Sequence, residues 1–345
     1  MNTIPKKVVR LNLWTDPSFD EILSASPNVS LRVLSLQDDS PATIWEQLEL
    51  ADIYHISAAK DEVPVEWLVT QQLIQRCPNL ACVSTSGAGY DTVDVQACTD
   101  AGILVVNQAG GNANSVAEHA IGLMLAVSRR IVESDQKLKT ETGFSREDLM
   151  GHELSGKVLG LVGLGHIGTR TARLGAAFGM DVLAYDPYLD ENAIAGRGAR
   201  AVSLDQLLAN SDIVSLHCPR TTETNGLFAA EVFGQMKQGA LFISTARGGI
   251  HDEAALYDAL ASGHLAGAGL DVWRIEPPPA DHPLLSLNNV VSTYHTAGVT
   301  HEGRRNVATM AATQILQVCA GETAERMINK EVLPKFLARF KAMPG

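Results

Sequence analysis

Short apolar runs rich in β-branched residues alternate along this chain with segments of helical periodicity. In the first third, KVVRLNLW, LRVLSL, IYHIS, LACVSTS and ILVVNQ read as strands. DPSFDEIL, ATIWEQLEL, VEWLVTQQLIQRC and VDVQACTDA read as the helices between them. Apolar strands separated by helices point to a parallel sheet covered on both faces. A long helix is expected from near Ser115, where SVAE forms a capping box with Ser115 as cap and Glu118 reaching back. Its apolar positions continue through Leu123, Leu125 and Val127 towards RRIVESDQ. The polar stretch KTETGFSREDLMGHELSGK that follows has no clear period and reads as a loop or excursion. A second βα series then begins, with strands expected in KVLGLVGLG, DVLAYDP, DIVSLHCP, ALFISTAR, GAGLDVW and NVVSTYH. Six such strands are what a doubly wound dinucleotide domain needs. A last helical segment, GRRNVATMAATQILQVCAGE, ends at Gly321.

Composition narrows the class. A chain of 345 residues that is 46% hydrophobic has material for two domains with cores of their own. The net charge of −12, with no long basic run and no zinc-type Cys/His spacing, argues against a nucleic-acid partner. Five scattered cysteines fit free thiols in a reducing compartment. The opening MNTIPKKVVRLNLW lacks the apolar core of a signal peptide, and SVAEHAIGLMLAV is short and interrupted by Glu118 and His119. A soluble, cytoplasmic protein without a membrane partner is expected. The final VLPKFLARFKAMPG carries Phe336 and Phe340 one turn apart beside Lys335, Arg339 and Lys341. It reads as a packed terminal segment in preference to a membrane-surface helix.

Four motifs carry candidate chemistry. In GLVGLGHIGTRTA, Gly163-x-Gly165-x-x-Gly168 follows an apolar strand and opens a helix, the context that makes this spacing a dinucleotide cradle. The next strand ends in Asp186, 18 residues after Gly168, where a carboxylate accepts from a ribose and repels a 2′-phosphate. NAD is therefore favoured over NADP. The plainer alternative, a glycine-rich turn with a surface aspartate, does not account for the strand–turn–helix–strand–Asp order. In STARGGI, Arg247 follows a strand and offers a bidentate match to a carboxylate, although taken singly it reads as an ordinary exposed arginine. In GLDVWRIEPPPADHPLL, Asp271 and Glu276 follow another strand, and Glu276 taken alone is a solvated charge before a proline-rich loop. In YHTAGVT, His295 follows the last strand and is a candidate proton carrier once a carboxylate orients it. Arg247, Glu276 and His295 at the ends of three strands of one sheet form one plausible cluster.

At this point the chain resembles a known family. LGLVGLGHIGTRTA, HCPRTTETNGL, ISTARGG, GLDVWRIEP and HTAGVT occur in the order of the D-isomer-specific 2-hydroxyacid dehydrogenases, and TSGAGYDTVD and NANSVAEHAIGLMLA are similar to earlier motifs of that family. The likeness spans roughly residues 50–320 and takes in phosphoglycerate dehydrogenases and glyoxylate or hydroxypyruvate reductases. It implies an α/β protein of two Rossmann-like doubly wound parallel-sheet domains. An NAD-binding domain, 108–297, would be inserted into a flavodoxin-like substrate domain made of 1–107 and 298–345. It implies a homodimer formed through the dinucleotide domain. It also implies that Arg247 holds a 2-oxo or 2-hydroxy acid, that His295 is the acid/base oriented by Glu276, and that the amides of Gly87, Ala88 and Gly89 bind the substrate carboxylate. By the same likeness His166 and Ile167 would sit by the pyrophosphate, Cys218, Thr245 and Ala246 along the cofactor, Asp271 by the nicotinamide amide, and Ala297 and Gly298 beside its ring. His217 matches a position close to the cofactor, with a structural strand-end role equally open.

The chain also departs from its relatives. HISAAKDEVPVEWL lacks the arginine that phosphoglycerate dehydrogenases show in an RS-x-T context, leaving Lys60 as the nearby cation, so a phosphorylated substrate is in doubt. No added regulatory domain is expected beyond about residue 330. Phe144 stands where relatives often carry tryptophan. Glu276 stands where formate dehydrogenases carry glutamine, which argues against formate. A reading of another class, an NAD-sensing co-repressor-like binding protein, stays open at this level because fold does not fix function.

Overall fold

The computed structural model describes residues 4–342; the ends of the expected outer domain, 1–3 and 343–345, lie outside the described residues. The chain divides into two compact units, Met1–Asn112 with Thr300–Gly345, and Ala113–Val299.

The first unit is built on five parallel strands, β1 (Lys6–Leu11), β2 (Val29–Leu34), β3 (Ile53–Ile56), β4 (Cys82–Thr85) and β5 (Leu104–Val106), in the order β2-β1-β3-β4-β5. This is the flavodoxin-like order. β3, β4 and β5 are buried at every position, as strands covered on both faces must be. Successive side chains serve opposite faces. Val8, Ile53, Leu104 and Val106 meet Phe19, Leu23, Ala308, Ala311 and Ile315 on one side. Val9, Tyr54, Val83 and Val105 meet Ile44, Leu48, Trp67 and Leu73 on the other. The C-terminal segment returns to β5, where Asn329 accepts from Val105 N at 2.8 Å and donates to Ile103 O at 2.9 Å. The final helix, Leu333–Ala342, buries Phe336 completely, so it is a packed segment. The helix expected over VEWLVTQQLIQRC is broken. A single turn at Val65–Trp67 gives way to extended backbone, where Val69 pairs with Val93, and the helix Gln71–Arg76 starts afresh from Thr70, whose hydroxyl caps Leu73 N.

The second unit holds seven parallel strands, β6 (Val158–Val162), β7 (Asp181–Tyr185), β8 (Arg200–Ala201), β9 (Ile213–Leu216), β10 (Ala240–Ser244), β11 (Leu265–Leu270) and β12 (Val290–Ser292), in the order β12-β11-β10-β9-β6-β7-β8. Chain order reverses between β6 and β9, which makes the sheet doubly wound. The six expected strands are present; β8, two residues at the edge, is an addition too short to show in the apolar pattern. The helix Ala113–Ser128 lies on this sheet and approaches β11 closely. A Cβ on Gly267 would stand 2.7 Å from Val127 Cγ1, and one on Gly269 2.8 Å from Leu123 Cβ. Ser115 does not cap this helix: the helix begins at Ala113, just beyond Gly110 and Gly111, so Ser115 is buried inside the first turn. The helical pattern also breaks at Arg130, with φ of 51°, before a second helix, Ile131–Thr140.

Candidate active site

The candidate residues of the second unit all follow strands of its sheet. The glycine turn follows β6, Asp186 follows β7, His217 and Cys218 follow β9, and Thr245, Ala246 and Arg247 follow β10. Asp271 and Glu276 follow β11, and His295 follows β12. Open α/β sheets bind ligands beyond the carboxyl ends of their strands, at the point where strand order reverses.

The turn after β6 is shaped by what its glycines lack. Gly163 has φ of +92°, and a Cβ there would stand 2.7 Å from Cys218 N. A Cβ on Gly168 would stand 2.2 Å from Gly163 O, so only glycine lets the helix His166–Ala177 start against the turn. At Gly165 a Cβ would meet nothing within 4 Å. That open side lies at the helix N-terminus, where His166 is exposed and Ile167 half-buried, and where amides and helix dipole favour an anion. Asp186 is fixed beside it, accepting from Leu164 N at 2.9 Å and Tyr188 N at 3.1 Å. Thr245 is buried with its Oγ1 unpartnered among the described residues, a capacity that a polar ligand would fill. Open cradle, fixed carboxylate and unfilled hydroxyl fit a dinucleotide. Cys218 is half-buried, and burial pushes its thiol up to about 11, which suits a wall and not a nucleophile.

The acid–base cluster is assembled from three loops. His295 Nδ1 lies 2.8 Å from Glu276 Oε2, and Glu276 Oε1 accepts from Trp273 N at 3.0 Å. Burial opposes the charge on Glu276. The hydrogen bond from His295, its charge, the Trp273 amide and the Arg247 guanidinium together outweigh it and hold the carboxyl below its usual range. A carboxylate has no hydrogen to offer, so Nδ1–H donates, leaving Nε2 as the nitrogen that takes or gives a proton. Arg247 lies in a loop that presses on the Glu276 loop: a Cβ on Gly248 would stand 1.8 Å from Trp273 O. One Arg247 nitrogen donates to Ala246 O at 2.7 Å. The arrangement places the Arg247 guanidinium within charge range of the carboxylate that orients the His295 imidazole, and an oriented imidazole is the kind of group that reversible protonation of a carbonyl oxygen requires.

Other expected residues have different surroundings. Asp271 is wholly buried, and its carboxylate accepts from Thr293 Oγ1 and from the amides of Thr296 and Ala297. It thereby grips the His295 loop, including buried Ala297 and half-buried Gly298. His217 is held at 3.0 Å from Ser215 Oγ, and burial lowers it to about 4, so it is neutral. Gly87, Ala88 and Gly89 follow β4 in the first unit, where the Gly87 carbonyl accepts from Gln108 N and the Ala88 carbonyl from Asn107 Nδ2. Trp273, Thr293 and His119 belong to the surroundings of His295 but were not singled out from sequence. The one available signal was His119, a histidine in an otherwise apolar helical stretch.

The family model for the NAD binding domain of D-isomer specific 2-hydroxyacid dehydrogenases matches residues 121–297. The chain belongs to this family. The chain is 44% identical over 261 residues to the D-3-phosphoglycerate dehydrogenase of Archaeoglobus fulgidus, covering 76% of this chain and 49% of that protein. It is 38% identical over 268 residues to the glyoxylate reductase of Korarchaeum cryptofilum, covering 77% and 81% of the two chains. Among solved structures it is similar to a D-lactate dehydrogenase from Aquifex aeolicus complexed with NAD and lactic acid. There the TM-score is 0.79 at 28% identity, over 93% of this chain and 98% of that one. The chain spans about half the length of the phosphoglycerate dehydrogenases it matches. The unit that the NAD binding domain model matches is thus the one that contains Arg247, Glu276 and His295.

Proposed function

We propose that the chain interconverts a small 2-oxo acid and the corresponding D-2-hydroxy acid. The observation that carries this reading is the His295–Glu276 pair, 2.8 Å apart, at the strand ends of the sheet that bears the dinucleotide cradle. NAD, when bound, supplies the hydride chemistry. Gly163, Gly165 and Gly168 with the first turn of the following helix would hold its pyrophosphate, and Asp186 its adenosine ribose. Arg247 binds the substrate carboxylate and polarises the 2-oxo group. His295 gives its Nε2 proton to the carbonyl oxygen and recovers it in the reverse direction. Glu276 keeps the ring in register and balances the imidazolium charge.

A small unphosphorylated substrate is favoured. After β3, where phosphoglycerate dehydrogenases carry an arginine, Ser57 donates to the carboxylate of Glu62, a negative group in a segment that would have to meet a phosphate. The phosphoglycerate dehydrogenase reading keeps support from the 44% identity and belongs in the same assay. Pairing of two copies through the second unit fits the exposed Val132 and Met150, which help to line a cavity of about 760 Å³.

The test is NADH-dependent turnover with glyoxylate, pyruvate, hydroxypyruvate and 3-phosphohydroxypyruvate, with the chirality of each product determined. Turnover of an unphosphorylated 2-oxo acid to the D product is expected. NADH binding without turnover of any of them would point to the binding-protein reading.

A further inference from the structure

The loop that carries His295 is folded around a buried carboxylate. One oxygen of Asp271 accepts from Thr293 Oγ1 at 2.6 Å and from Thr296 N at 2.8 Å, and the other from Ala297 N at 3.0 Å. The Asp271 backbone carbonyl accepts from His295 N at 2.7 Å. Asp271 therefore fixes the chain on both sides of His295. That histidine has φ of +47°, a left-handed conformation that a residue with a side chain keeps where its neighbours enforce it.

Another element reaches into this arrangement. His119, in the helix Ala113–Ser128, places Nε2 2.9 Å from Thr293 Oγ1 and 3.6 Å from Asp271 Oδ1. The close approach of that helix to β11 over Gly267 and Gly269 brings it within range. Hydrogen counting fixes the direction of each bond. A threonine hydroxyl has one hydrogen, and an ionised carboxylate has none. Thr293 gives its hydrogen to Asp271, so His119 Nε2–H must donate to the Thr293 oxygen. A donor on that oxygen polarises the hydroxyl and strengthens its bond to the carboxylate.

We propose that His119 is a positioning residue for His295. Through Nε2–H it fixes Thr293 on Asp271, and so fixes the backbone from which His295 meets Glu276. The proposal rests on the reading of His295 as the acid/base, and no step of the reaction is assigned to His119 itself.

The experiment compares the wild type with His119→Leu, His119→Gln, Thr293→Val and the His119→Leu/Thr293→Val double variant. Three quantities are read: kcat with KM for NADH, the ring carbon–proton NMR signal of His295, and Tm. His119→Leu is expected to lower kcat about tenfold or more with KM for NADH changed less than about twofold, because loss of alignment acts on the chemical step. His119→Gln, whose amide keeps a donor, is expected to recover most of the rate. The His295 signal should move in His119→Leu and return towards its place in His119→Gln. The double variant should be no slower than Thr293→Val alone, since both changes cut one connection. The proposal is overturned by losses that multiply in the double variant, by a His295 signal unmoved in His119→Leu, by glutamine performing no better than leucine, or by a lower Tm with unchanged kcat. The NMR signal separates this idea from the functional reading. A wild type inactive on every 2-oxo acid, with a His295 signal that still follows His119, would sink the reaction and leave the positioning role standing. An active wild type whose signal ignores His119 would sink the positioning role alone.

Discussion

Glu276 has two oxygens and two appointments: His295 Nδ1 at 2.8 Å and the Trp273 amide at 3.0 Å. The second bond aims the first. Glu276→Gln keeps the volume and removes the charge, so the imidazolium formed during turnover loses its counter-ion. The expected result is a lower kcat, by a substantial part of the ~10²–10⁴-fold that a positioned acid–base group supplies. NADH affinity should stay near the wild-type value, and stopped-flow turnover with fluorescence titration of NADH checks both. Unchanged kcat would remove Glu276 from the mechanism. The three proposed catalytic residues stood out in sequence because each follows a strand and each bears the needed chemistry. His119 and Thr293 were not, because a histidine on an apolar helix and a threonine in a loop acquire meaning only when folding brings them to the same carboxylate.

At the scale of elements, the glycine turn separates space for a ligand from space for packing. A Cβ at Gly165 meets nothing within 4 Å, whereas one at Gly168 meets Gly163 O at 2.2 Å. Gly165→Ala is therefore expected to fold with stability within about 0.5 kcal/mol of the wild type, as open surface positions do, while weakening NADH binding. Gly168→Ala is expected to cost about 1–3 kcal/mol through overpacking. Urea unfolding and NADH titration of both variants check the pair, and equal stability losses would contradict it. The glycine spacing, the capping-box pattern and the apolar runs were all visible in the sequence, but they were not equally decisive. In the turn, Gly163 and Gly168 each answer a steric demand, while Gly165 leaves its side open. The capping box over Ser115 failed because the helix starts earlier, at Ala113, and encloses the serine. The helix over residues 65–77 failed because Val69 finds a strand partner in Val93, a long-range pairing that helical periodicity does not report.

Across the whole molecule, several buried histidines are kept neutral. Burial lowers His251 and His217 to about 4, and burial first, with the Arg10 charge second, lowers His55 to about 3. In the unfolded chain each takes up a proton near pH 6.5. Below that pH the unfolded state binds more protons than the folded one, so stability rises with pH through this window and falls as pH drops from about 6.5 towards 4. Above about 6.5 these groups contribute no slope. Urea midpoints measured between pH 7.5 and 4.5 should show the decline. His251 has both ring nitrogens buried and unpartnered among the described residues, so His251→Leu should raise stability by roughly 1–3 kcal/mol and reduce the slope. A midpoint independent of pH in this range would contradict the buried neutral state. The two parallel sheets were legible from the chain's periodicity because both faces of each are covered and the strands read as continuous apolar runs. The edge strand β8 was not, since two residues carry no period.

The central claim is that His295 moves the proton while the glycine cradle and Asp186 hold the cofactor independently of it. Single-turnover reduction of an accepted 2-oxo acid by wild type and His295→Ala, each saturated with NADH and with NADH affinity measured in parallel, tests this most directly. The expected result is a rate reduced about 10²–10⁴-fold with nearly unchanged NADH affinity. A His295→Ala protein that binds NADH normally and reduces the 2-oxo acid at close to the wild-type rate would contradict it.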